Sequence, residues 1–110
     1  DEYALGMLTA DATSDLLAPS SWAKSEQPVF KQSPENQVFA PGHNSFFTSP
    51  DGTEDWILYH ANSAAGHGCD HRRSPRMQPF RWREDGTPDF GMPVKTDAEL
   101  QIPSSLTKKN

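Results

Sequence analysis

The sequence predicts an all-β protein of antiparallel, sequentially connected strands. Three observations carry that prediction. Strand-like runs recur along the chain, and none sustains the periodicity of a helix. Turn signals separate them: ten Pro and seven Gly, with Pro-Asp-Gly at 50–52 and Asp-Gly at 85–86. One unit also occurs twice, a Gly turn leading into an aromatic strand, in PDGTEDWILY and again in EDGTPDF.

Tyr3 to Thr9 is apolar and reads as a buried strand. In DATSDLLAPSSW, Ser14 or Asp15 caps one short turn that Pro19 ends. Pro28 to Phe30 is a short strand, held to a sheet edge by its proline. His43 to Ser49 and Asp55 to Ala61 form a hairpin across SPDGTED, where Pro presets φ and Gly accepts a positive one. A long loop, NSAAGHGCDHRRSP, leads to a third strand at Arg76 to Glu84, and Asp85-Gly86 turns into a short fourth. From Lys95 the chain is polar and reads as a loose tail or a connection.

Two strands are thus followed by four, and a sequential four-stranded antiparallel meander is the blade of a β-propeller. On this reading residues 1–39 are the outer strands of a preceding blade with a connecting loop. Residues 40–94 are one complete blade, and residues 95–110 are the polar tail.

Composition argues for a thin core. Leu, Ile, Val and Phe supply 18 of 110 residues, below the roughly 20% at which sequences become disordered. Three Trp, six Phe and two Tyr argue against disorder. The net charge of −5 gives no global reason to bind nucleic acid or anionic membrane. All five Arg fall between Arg72 and Arg83, either a solvated strand edge or a site for anions or hydroxyls. Cys69 is the only cysteine, so no disulfide forms within the chain. No signal peptide, transmembrane run or lipidation motif is visible. Because the apolar run begins two residues in, the chain reads as a segment of a longer protein.

Three stretches, YALGMLTADATSDLLAPSSWAKSEQPVF, APGHNSFFTSPDGTEDWILYHAN and RRSPRMQPFRWREDGTPDFGMPV, resemble the C-terminal part of glycoside hydrolase family 43, and most of all its α-L-arabinofuranosidases. The resemblance runs from Tyr3 to Val94, with Pro-Gly-His-Asn-Ser, Tyr-His-Ala and Arg-x-x-Arg-Met-Gln-Pro-Phe in the family's order and spacing. It implies a five-bladed propeller, of which this chain is about one and a half blades. It also implies a secreted parent that hydrolyses arabinofuranosides or xylosides with inversion.

For individual residues the resemblance implies the following. His43 starts a strand lining the central channel, binds the sugar, and contacts a central ion, usually calcium, directly or through water. Calcium takes oxygen ligands, so His43 alone does not hold it. Arg73, five residues before Gln78, reaches the substrate pocket, and a planar five-donor fork suits sugar hydroxyls. Arg72 and Arg76 compete for that assignment, with Arg76 placed in the strand itself; Asn44 and Ser45 support His43. Inverting hydrolysis needs two carboxyl groups roughly 6.5–9.5 Å apart. The family's two Asp and one Glu lie on earlier blades, and Asp51, Glu54, Asp55, Glu84 and Asp85 belong to turns, so no catalytic residue is assigned here.

His67, Cys69 and His71 at alternate positions offer a zinc triad, but in a Gly-flanked loop with no fourth ligand. His60 reads as a packed, hydrogen-bonded histidine, and Trp56 and Trp82 as packing rather than sugar platforms. The function expected is removal of terminal α-L-arabinofuranosyl units from plant cell-wall polysaccharide. The substrate would be arabinan, arabinoxylan or a xylo-oligosaccharide, and the remaining blades the other partner. A β-xylosidase of the same family and a non-catalytic carbohydrate-binding β-domain are the alternatives.

Overall fold

A computed structural model describes residues 1–105. It contains two antiparallel sheets and two single 3₁₀ turns, Pro19–Ser21 and Pro34–Asn36. The first sheet pairs β1 (Leu8–Thr9) with β2 (Ala23–Lys24). The second is a meander in strand order β3 (Phe39–Thr48), β4 (Asp55–Asn62), β5 (Ser74–Trp82), β6 (Pro88–Asp89). The all-β, sequentially antiparallel arrangement expected from the sequence is therefore present. No helix among the described residues is long and apolar enough to cross a membrane.

Turn chemistry sets the meander. Between β3 and β4, Gly52 adopts φ +75° and donates to the Ser49 carbonyl at 2.8 Å. The Asp51 carboxylate accepts from Ser49 Oγ at 2.7 Å and from Thr53 Oγ1 at 2.8 Å, which closes the turn. Between β5 and β6, Gly86 (φ +82°) takes the same place, and Asp85 accepts from the Thr87 amide and hydroxyl.

The core follows the period of two along β4. Ile57, Tyr59 and Ala61 point to one face, where they pack with Phe30, Val38, Phe80 and Phe90. Trp56, Leu58 and His60 point to the other, and Trp56 stacks on Phe47 at 5.9 Å. Gln78 is a buried polar hub on the core face of β5. Its Oε1 accepts from the Tyr59 hydroxyl at 3.2 Å and the Val94 amide at 3.0 Å, and its Nε2 donates to the carbonyls of Phe90 and Met92, both at 3.0 Å.

Several elements depart from the sequence reading. Tyr3 to Thr9 is not one buried strand: only Leu8–Thr9 pair as β1, Leu5 forms a single bridge to Phe30, and Leu8 is 60% exposed. Pro28 to Phe30 contributes that bridge and no strand. The short turn is as expected, with Asp15 accepting from the Leu17 amide at 3.0 Å, but Pro19 then opens a 3₁₀ turn, since its missing N–H costs nothing there. β3 starts four residues before His43, and β5 runs from Ser74 to Trp82 rather than Arg76 to Glu84. The tail is tied at Ser104, whose amide and hydroxyl donate to the Glu54 carboxylate, each at 3.1 Å. Leu106 to Asn110 lie outside the described residues.

The radius of gyration is 16.0 Å and the smallest extent 23 Å, against about 13 Å for the radius of a compact domain of this length. The molecule is a slab, which agrees with the thin core that composition implied. Burial of Tyr59 pushes its phenol up to about 12. A phenol whose folded pKa is raised holds stability that is complete below its unfolded value of about 10 and is lost as pH rises toward the folded one. Unfolding midpoints are thus expected to fall between pH 10 and 12. Tyr59→Phe removes this part of the slope, and an unchanged slope in that variant contradicts it.

Candidate functional site

Four side chains meet at one end of the larger sheet: Tyr3, His43, His60 and Arg73. The sequence places them there through an irregularity in β3. Its register against β4 slips twice, between Phe39 and Gly42 and between Gly42 and Ser45. Each slip adds one residue to β3, a β-bulge, and the residue after each paired position turns left-handed: Ala40 at φ +50° and His43 at φ +49°. A left-handed non-Gly residue costs on the order of 1–3 kcal/mol and persists where the surroundings enforce it. Here the bulge turns His43 out of the strand alternation.

Gly42 lies between the bulges, opposite His60. A Cβ on Gly42 would stand 2.1 Å from Tyr3 Cε1, so only glycine lets the Tyr3 ring lie against this backbone. The Tyr3 hydroxyl accepts the His43 amide at 3.3 Å. Gly42→Ala is expected to displace Tyr3 and cost about 1–3 kcal/mol by overpacking. Unfolding midpoints should show this loss in the Tyr3 background and little of it after Tyr3→Ala; an equal loss in both backgrounds points to a different cause.

His60 stacks on His43, with ring centroids 5.7 Å apart and planes at 20°. Its Nε2 lies 3.4 Å from Arg73 Nη1. Arg73 stands one residue before β5, half-buried, and its Nε donates to the Asp70 carbonyl at 3.1 Å. Burial first, then the Arg73 charge and the His43 ring, push the His60 imidazole below its ordinary pKa. His43 and Arg73, separated by thirty residues, are thus joined through one imidazole. His60 was missed as a member of this group. Its signal was parity: it falls on the face of β4 opposite Ile57, Tyr59 and Ala61.

The other candidates lie elsewhere. Arg72 pairs with Asp70, and Arg76 sits inside β5 with its Nη2 donating to Ser63 Oγ at 2.8 Å. Arg83 pairs with Asp89 at 3.3 Å. Asn44 and Ser45 are exposed, and no hydrogen bond from their side chains to His43 occurs among the described residues. The turn acids are engaged locally: Asp55 accepts from Thr48 Oγ1 and Trp82 Nε1, and Glu54 accepts from Trp56 Nε1. Trp56 is buried in packing, while Trp82 is exposed against Phe80. Among the described residues no three His, Cys, Asp or Glu side chains gather as a metal cluster, so His67, Cys69 and His71 do not form the zinc triad their spacing offered. Gly66 and Gly68, both left-handed, turn the loop away from the extended form that the triad required.

Two imidazoles and an arginine thus share one end of an all-β sheet. The family model for glycosyl hydrolases family 43 matches residues 1–88, and the chain belongs to that family. Among its relatives is the extracellular exo-α-(1→5)-L-arabinofuranosidase of Streptomyces avermitilis, 47% identical over 84% of this chain and 20% of the relative. The α-L-arabinofuranosidase 43 of Humicola insolens is 43% identical over 98% of this chain and 24% of its own length. The crystal structure of an α-L-arabinofuranosidase from Lactobacillus brevis superposes with a TM-score of 0.77 at 43% identity, covering 86% of this chain and 30% of the other. The chain therefore spans about a fifth to a quarter of the curated relatives it matches.

Proposed function

We propose that this chain is part of a secreted arabinofuranosidase that removes terminal α-L-arabinofuranosyl residues from plant cell-wall polysaccharide with inversion. The observation that carries the reading is the convergence of His43 and Arg73 on one sheet end through His60. The relatives' names support the substrate class; arabinofuranoside cleavage comes to this chain from both, and extracellular location from the Streptomyces avermitilis relative alone. The four-stranded meander is read as one blade of a five-bladed propeller and β1–β2 as the outer part of the blade before it, with β3 along the channel.

In this reading the chain binds and orients the sugar. Among the described residues no carboxylate forms an ion pair with Arg73, so its remaining N–H groups are free to donate to hydroxyls of the terminal sugar. His43, exposed and held by its bulge, offers a second polar contact at the same end. The acid and base that protonate the leaving oxygen and activate water lie outside this chain.

A calcium ion at His43 is implied by family resemblance, but the donors here do not fit one. The cluster offers two imidazoles and a phenol, no carboxylate joins it among the described residues, and calcium takes six to eight oxygens. His43 would supply one ligand at most, with water or residues outside this chain supplying the rest. Its sugar contact does not depend on the ion.

The test is hydrolysis of p-nitrophenyl α-L-arabinofuranoside and p-nitrophenyl β-D-xylopyranoside by the intact parent, with the anomer first released followed by NMR. Faster cleavage of the arabinofuranoside with inverted product supports the reading. Faster xyloside cleavage replaces it with a β-xylosidase. Sugar binding without cleavage replaces it with a carbohydrate-binding domain.

A further inference from the structure

We propose that His60 is the positioning residue for Arg73: its imidazole is a fixed acceptor that aims the guanidinium, and its stack on His43 keeps the two substrate contacts in one arrangement. This rests on the functional reading above, which gives Arg73 a sugar to meet.

Hydrogen-bond chemistry fixes the roles. A guanidinium only donates. For the 3.4 Å contact with Arg73 Nη1 to be a hydrogen bond, the His60 Nε2 has to accept, which assigns the ring proton to Nδ1. That Nδ1 is buried and has no hydrogen-bond partner among the described residues. A buried donor left unpaired destabilises the fold, and such a group in a native structure calls for a reason. Leucine, of similar bulk and without the polar atom, avoids the cost. What histidine adds at this position is the Arg73 contact and the stacked His43 ring at 5.7 Å.

The geometry shows why Arg73 needs a second anchor. Its other contact is a single bond from Nε to the Asp70 carbonyl, in the loop between β4 and β5. One bond leaves the guanidinium plane free to rotate. A second, from Nη1 to a ring seated on the central strand β4, fixes it. The low-pKa environment of His60, set chiefly by burial and by Arg73 itself, keeps the ring in the neutral form that accepts.

The experiment uses the intact enzyme carrying His60→Leu, His60→Gln, Arg73→Ala, and the double variant His60→Leu/Arg73→Ala. His60→Leu is expected to lower kcat/KM on the arabinofuranoside about tenfold, the worth of one hydrogen bond to a charged group, while its melting temperature holds or rises. His60→Gln, whose Oε1 can accept from Arg73, should recover most of the loss. In the Arg73→Ala background, His60→Leu should add little. Equal losses for Leu and Gln, additive losses in the double variant, or a fully active Arg73→Ala each overturn the proposal. Should His60→Leu fail to fold, His60→Met, which also lacks an acceptor nitrogen, takes its place. A parent that cleaves neither arabinofuranoside nor xyloside removes the functional reading and this proposal together, whereas an active parent with additive losses removes this proposal alone.

Discussion

Gln78→Leu is expected to destabilise the protein by about 4 kcal/mol, a large effect for a single polar side chain. Gln78 is 3% exposed and uses its full amide capacity: two bonds accepted at Oε1 and two donated from Nε2. Leucine fills the same space but strands the Tyr59 hydroxyl, the Val94 amide and the carbonyls of Phe90 and Met92. Each stranded buried group costs on the order of 1–3 kcal/mol, reduced where water can follow. The carbonyls belong to the segment after β6, so the same change unlatches residues 90–94 from the sheet. Gln78→Glu keeps both acceptors but turns a carboxylate toward two carbonyls and is expected to be at least as harmful. Urea unfolding of the intact protein, read against wild type, measures both. A loss below about 1 kcal/mol for Gln78→Leu would show that water replaces the hub and that its four bonds carry little net stability.

Arg73→Ala is expected to lower kcat/KM on an arabinofuranoside by about 100-fold in the intact enzyme, with little change in folding stability. The magnitude follows from losing one or two hydrogen bonds from a charged donor, each about 1.5–3 kcal/mol, at about 1.4 kcal/mol per factor of ten. Stability should hold because Arg73 is half-buried outside the strand and its local partners are one carbonyl and one imidazole. Arg73→Lys keeps the charge but not the planar fork, and should recover only part of the loss. Arg72→Ala is the control: Arg72 is exposed and paired with Asp70, so its removal should leave kcat/KM near wild type. If Arg72→Ala costs more than Arg73→Ala, the register assigned from Gln78 is wrong by one residue.

Much of the meander was legible because its causes are local. Pro-Asp-Gly at 50–52 and Asp-Gly at 85–86 specify turns through glycine's positive φ and aspartate's short reach to nearby donors. The hairpin strands between them were found to within a few residues. The N-terminal stretch was misjudged for an equally physical cause: an apolar run records which residues favour burial, but the only strand partner of Leu8–Thr9 among the described residues is the two-residue Ala23–Lys24, and Leu8 stays 60% exposed. The start of β3 was missed because two bulges break the alternation by which a strand is recognised.

At the site, His43 and Arg73 were named from the sequence by their place in a family pattern. That they meet through His60 was not legible, since side chains at positions 43, 60 and 73 come together only when three strands are in register. Tyr3 was hidden for the same reason: its seat is an absent Cβ on Gly42, thirty-nine residues along the sequence. The sequence by itself determined the all-β class, the turns, the thin core and the family, because these follow from composition, local backbone preference and short motifs. Only the tertiary structure decided the left-handed setting of His43, the meeting of His60 with Arg73 and the buried hub at Gln78, because each depends on distances between segments that no local preference controls.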